Sequence, residues 1–143
     1  MAKPVFVLVP SGTQTPKCYD PLLAALATSG YSGTAVSLPS VDAHPPVYDF
    51  TEDVEAIREA TSKFVEQGKD VVVLHSYGGL PGSEALKGLG KTERTKKGLE
   101  GGVLRIVYIM GMFGFEGVSP AGERGDTSRM MPYQKIDLAV SIL

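Results

Sequence analysis

Histidine and cysteine are both scarce in this chain. Its 143 residues include two histidines, one cysteine and no tryptophan. The lone cysteine, Cys18, excludes an intrachain disulfide and fits a reducing, cytoplasmic compartment. The net charge is only −2, so neither nucleic acid nor an anionic membrane is expected as a partner. Long apolar runs are missing as well. The run over residues 5–9 is too short for a signal core or a membrane span, and Pro10 ends it. The closing Ser141-Ile142-Leu143 lacks the basic middle residue of a peroxisomal tripeptide. The remainder is 43% hydrophobic and 21% charged, which fits a single soluble domain over 1–143 with a real core.

Strands and helices alternate along the chain, which predicts an α/β fold with a mostly parallel sheet of about four strands. "PVFVLV" (4–9) is apolar throughout, as a strand covered on both faces should be. "YDPLLAALATSG" (19–30) predicts a helix with Pro21 in its first turn and Gly30 past its end. "TAVSL" (34–38) predicts the second strand, and 39–49 is a proline-rich loop. Residues 51–68 predict the best helix. Thr51 is its expected N-cap, Glu52 and Asp53 suit its positive end, and Val54, Ile57, Thr61, Phe64 and Val65 share one face. "DVVVL" (70–74) predicts the third strand, followed by a helix from Tyr77 to about Leu89. Residues 90–102 form a charged connector. There Lys87, Lys91, Arg94, Lys96 and Lys97 are diluted by Glu93 and Glu100, as on a solvated surface. "VLRIVYIM" (103–110) predicts the fourth strand, 111–132 a loop, and 133–143 turns apolar again. "GMFGFEG" follows a strand, but its glycine spacing is wrong for a dinucleotide fingerprint.

"VVVLHSYGGLPG" (71–82) carries the chemistry. A strand, a sharp turn bearing Ser76 and a helix make the geometry of a nucleophile elbow. Such a turn strains the serine and lifts its hydroxyl out of the sheet. Gly78 and Gly79 supply the small neighbours that this close crossing needs, while Leu74 stands where a glycine is usual. Ser76 also suits a plainer role, capping the helix that follows. Ser11-Gly12 falls at the C-terminal end of the first strand, where open α/β sheets bind ligands. If the first and third strands are neighbours, the Gly12 and Tyr77 N–H groups can converge on one oxygen. Ser11-Gly12 equally suits an ordinary turn.

"FVLVPSG", "YDPLLAALATSGY", "AVSLPS", "DF…DVEAIR", "GKDVVVLHSYGG" and "GGVLRIVYI" follow one another in an order that resembles the N-terminal half of an α/β-hydrolase. The likeness is to fungal and bacterial members similar to plant methylesterases and hydroxynitrile lyases, and it covers residues 3–118. It implies Ser76 as nucleophile and the Gly12 and Tyr77 N–H groups as an oxyanion hole. It also implies hydrolysis of a small hydrophobic ester or lactone, with no cofactor and no metal. "PSGTQTP" departs from the more aromatic loop usual after the first strand.

In this fold the triad runs serine, acid, histidine. The resemblance puts the last two in a C-terminal half beyond a helical cap, so the expectation is a truncated or reduced form with an incomplete triad. Glu116, after the fourth strand, is the candidate acid, and Asp126 and Asp137 also lie downstream. His44, on the loop after the second strand, is the candidate base. His75 adjoins Ser76 and should pack behind the elbow. The implied strand order is second, first, third, fourth, which leaves 103–110 as an apolar edge where a second copy can pair. The alternatives are a non-catalytic small-molecule binder, a self-associating protein, or a lyase or isomerase using the same pocket.

Overall fold

The computed structural model describes residues 3–112, with the backbone alone at 72–74. Strands β1 (Val5–Val9), β2 (Ser32–Ala35), β3 (Asp70–His75) and β4 (Gly102–Tyr108) form one sheet in the order β2-β1-β3-β4. All three pairings are parallel, and the order is the expected one. Parallel neighbours need crossover connections. Helices α1 (Asp20–Thr28), α2 (Thr51–Val65), α3 (Gly79–Ala85) and α4 (Lys91–Lys96) lie in them. No helix among the described residues is long and apolar enough to cross a membrane.

The core forms around β1. Val7, Leu8 and Val9 are completely buried, so this strand is covered on both faces. Each such side chain contributes about 1.5–3 kcal/mol on leaving water. Helix α2 packs on the sheet through Asp53, Ile57, Thr61 and Val65, an unbroken i, i+4 stripe. Ile57, Thr61 and Val65 are buried as expected, while Val54 and Phe64 only flank the core and the buried line starts on the Asp53 carboxylate.

Several boundaries differ from expectation, each for a local reason. Thr51 is not the cap of α2. Its N–H donates to Asp49 Oδ1 at 2.8 Å, because the carboxylate two residues earlier is the stronger acceptor. Hydrogen bonds from the Thr51 side chain and then from its backbone N–H hold the Asp49 carboxyl below its ordinary range. β2 stops at Ala35, although Val36 and Leu38 remain buried. Val36 still donates its N–H to the Leu8 carbonyl of β1 at 2.9 Å, so the pairing reaches one residue past the strand, and Leu38 serves packing. The helix expected over 77–89 is shorter. Tyr77 and Gly78 form a turn, α3 runs only over Gly79–Ala85, and Gly88 at φ +79° reverses the chain. The connector holds the short helix α4, whose Lys91 pairs with Asp70 at 2.6 Å. β4 ends at Tyr108, before the left-handed Met110 (φ 49°) turns the backbone away. Cys18 is exposed, on a single 3-10 turn over Pro16–Tyr19 that leads into α1. Glu116, Asp126, Asp137 and the apolar tail 133–143 lie outside the described residues.

Candidate active site

Parallel register aligns the strand ends from which the candidate residues come. Val9 pairs with His75, and His75 with Tyr108. The loop after β1 and the turn after β3 therefore leave the sheet at the same edge and side by side. The β1 loop is tied in two places. Gln14 N–H donates to the Ser11 carbonyl at 3.1 Å, and the Tyr19 hydroxyl donates to the Val9 carbonyl at 3.0 Å.

The Ser76 turn closes through its own backbone. The Ser76 carbonyl accepts Gly79 N–H at 3.0 Å and Met112 N–H at 3.3 Å. At Gly78 any Cβ would run into the Val9 side chain, and at Gly79 it would run into the Met112 carbonyl. Glycine is needed at both because the Val9 side chain occupies the space at Gly78 and the Met112 backbone that at Gly79. The expected strain at the serine is absent. Among the described non-glycine residues positive φ occurs at Asp42 and Met110, not at Ser76. The close approach is taken up at Gly78 and Gly79, which leaves Ser76 in an ordinary conformation.

His75 packs behind this turn, only 1% exposed. Its ring meets Tyr108 edge-on with centroids 4.4 Å apart. Gly79 and Gly82 leave the space on its other side, where an added Cβ would come within 3.2 and 3.6 Å of the imidazole. Among the described residues neither ring nitrogen has a hydrogen-bond partner. Burial holds the imidazole below its ordinary pKa, a shift the Ser76 backbone partly opposes. The Tyr108 hydroxyl sits 3.0 Å from Ser83 Oγ, which donates to the Gly79 carbonyl at 2.6 Å.

Gly12 and Tyr77 are brought together. Ring carbons of Tyr77 lie 3.1–3.2 Å from where a Gly12 Cβ would be, so the aromatic ring occupies that space. Among the described residues neither the Gly12 nor the Tyr77 N–H has an acceptor. Both N–H groups thus belong to adjoining strand ends, and Ser76, between β3 and Tyr77, is half-buried. His44 is exposed on the loop between β2 and α2, and no hydrogen bond joins it to Ser76. No group of three or more His, Cys, Asp or Glu able to hold a metal ion occurs among the described residues.

A serine turn after the third strand of a β2-β1-β3-β4 parallel sheet invites comparison with known hydrolases. The model of the alpha/beta hydrolase family matches residues 6–138. The chain belongs to the alpha/beta hydrolase family. Alpha/beta hydrolase nvfD of Aspergillus novofumigatus is 43% identical over 110 residues, covering 76% of this chain and 43% of that protein. Probable hydrolase R7 of a Phoma species is 34% identical over 112 residues, again covering 76% and 43%. The crystal structure of tomato methylketone synthase I complexed with 2-tridecanone superposes with a TM-score of 0.61 at 20% identity, over 85% of this chain and 45% of that one. That last likeness shows the shared fold. The chain spans less than half the length of the curated alpha/beta hydrolases that it matches.

Three residues near the site are not evident from motif reading. Asp53 is fully buried and accepts both the Ser40 N–H (2.9 Å) and the Ser40 hydroxyl (2.6 Å). Tyr19 closes the β1 loop. The only sequence signal for Asp53 is its place at the head of the 53, 57, 61, 65 stripe, where an acid interrupts an otherwise core-facing line.

Proposed function

We propose that the chain carries the nucleophile half of a serine hydrolase acting on a small hydrophobic ester or lactone. The observation that carries this reading is the placement of Ser76 directly after β3, beside the unspent N–H groups of Gly12 and Tyr77. In this reading Ser76 Oγ attacks the carbonyl carbon and loses its proton to a base, and the two N–H groups hold the developing oxyanion. Collapse expels the alcohol and leaves an acyl-serine. Water then attacks that ester, releasing the acid and returning the proton to Ser76. The described residues supply nucleophile and anion donors. His44 as base and Glu116 as acid remain the sequence's candidates for the rest. A cytoplasmic setting accords with the single cysteine.

A fluorophosphonate probe tests the proposal on the purified chain. Covalent labelling that vanishes in Ser76→Ala supports it. No labelling, or equal labelling of wild type and variant, rejects it.

A second reading, self-association, rests on β4. No described strand lies on its outer side, and Leu104 and the adjoining Ile109 are about half exposed. Such an edge can pair with a second copy. Light scattering that gives the monomer mass at every concentration removes it.

A further inference from the structure

Gly79 closes the serine turn and is held at three points. Its N–H donates to the Ser76 carbonyl at 3.0 Å, which makes residues 76–79 a four-residue turn with Tyr77 and Gly78 at its centre. The space beside its Cα is taken by the Met112 carbonyl and the His75 ring. Its carbonyl accepts the Ser83 hydroxyl at 2.6 Å. A serine or threonine that bonds the carbonyl four residues back is common in helices. Thr28 and Ser29 do this to Ala24 and Ala25 at 3.0 and 3.1 Å. The Ser83 bond is shorter, and its oxygen has a second partner from β4.

That partner is the Tyr108 hydroxyl, 3.0 Å away at the end of the strand. Ser83 has one hydroxyl proton and gives it to Gly79, so between the two hydroxyls Tyr108 is the donor. Tyr108 O–H thus donates to Ser83 Oγ, and Ser83 O–H donates to the Gly79 carbonyl. Two hydroxyls in series polarise one another. The donor end is fixed as well. Tyr108 stands opposite His75 in the parallel register, and its ring meets the buried imidazole edge-on at 4.4 Å. The contacts close a circuit from His75 of β3 to Tyr108 of β4, to Ser83 and Gly79 of α3, and back to the His75 ring. Ser76 and Tyr77 lie in the short arc of chain between His75 and Gly79.

We propose that Tyr108 is a positioning residue of this site: through Ser83 its hydroxyl fixes Gly79, and with Gly79 the place of Ser76 and of the Tyr77 N–H. The consequence for reactivity rests on the reading of Ser76 as nucleophile. The consequence for the backbone does not. Without the hydroxyl pair, Gly79 loses the brace that ties the first turn of α3 to the end of β4. The Tyr77 N–H then covers a wider range of positions. An anion donor acts only within a narrow range of distance.

The test uses Tyr108→Phe, which keeps the ring on His75 and removes the hydroxyl, and Ser83→Ala, which removes the link. Ser83→Thr keeps a hydroxyl at the same point, on the exposed side of α3. Tyr31→Phe, just before β2 at the other end of the strands, serves as control. Two measurements are made on the whole chain: hydrogen exchange of the Gly79 amide by NMR, relative to that of Val7 in β1, and fluorophosphonate labelling resolved into maximal rate and half-saturating concentration. In Tyr108→Phe and Ser83→Ala the Gly79 amide should exchange about fivefold faster. Maximal labelling should fall about tenfold with half-saturation unchanged. Ser83→Thr and the control should match wild type in both. The double variant should be no slower in labelling than the slower single one, because both substitutions break one chain. Unchanged Gly79 exchange in both single variants overturns the proposal, as does fully additive slowing or a threonine variant that exchanges like the alanine one. Faster exchange with labelling unaltered overturns the role at the site. If wild type is not labelled, the nucleophile reading fails and Gly79 exchange alone decides the present one. If one of the two hydroxyl-free variants does not fold, the other decides it.

Discussion

Acidification should weaken this fold through one buried ring. In the unfolded chain His75 takes up a proton near the ordinary value of 6.5. In the folded chain the proton must enter a site that is 1% exposed, where neither nitrogen has an acceptor. Among the described residues the surroundings offer the Tyr108 ring, the Gly79 and Gly82 backbone and the Ser76 backbone, and no charged group acts on the ring. The folded pKa is therefore depressed. Between that depressed value and 6.5 the unfolded state binds more protons than the folded state, so stability falls as pH falls. The slope for one such group reaches at most about 1.4 kcal/mol per pH unit. Above 6.5 the ring is neutral in both states and adds no slope. Below the folded value both states are protonated and the loss levels off. A drop from pH 6.5 to 5.5, over which the unfolded ring goes from half to about nine-tenths protonated, thus removes at most about 1 kcal/mol from a total that for such domains is about 5–15 kcal/mol. Urea unfolding across pH 7.5 to 5 measures this, with His75→Gln as the non-titrating reference in which the carboxylate contributions are shared. The two stability curves should diverge below pH 6.5, and the divergence should persist when His44→Gln is placed in both backgrounds. Parallel curves would refute the reasoning.

Other consequences are more local. Gly78→Ala drives a methyl into Val9 and should destabilise by about 1–3 kcal/mol in urea unfolding, the range for overpacked cores. Asp53→Asn removes a nearby negative charge, so a spectrophotometric titration should show the Tyr77 phenol ionising at lower pH than in wild type. Lys91→Met breaks the pair with Asp70, which is about one-third exposed at each partner, and should lower stability by less than about 1 kcal/mol with the fold intact by circular dichroism.

The sheet was legible in the sequence because its signals are local and strong. Val5–Val9 and Asp70–His75 are continuous apolar or β-branched runs bounded by turn residues, and parallel order follows from the helices between them. The serine turn was legible for the same reason, since small residues must stand where strand and helix backbones cross. The ends of elements were less so. The Asp49 carboxylate takes the Thr51 N–H and the cap position of α2 falls to Phe50, and α3 stops at Ala85, short of left-handed Gly88, although the apolar pattern continues to Leu89. The Asp53–Ser40 pair was invisible because its members lie 13 positions apart. No local pattern reports a contact made only when a loop folds back on the helix that follows it.

Ile109 N–H bonds the His75 carbonyl at 3.1 Å, Met112 N–H bonds the Ser76 carbonyl, and the Met112 carbonyl lies against Gly79. The chain leaving the sheet is therefore stitched to the serine turn before it goes anywhere else. A pull on residues beyond 112 would be felt at Ser76 without passing through the core. A backbone cut between Tyr108 and Met112 would loosen the turn and leave all four strands in place.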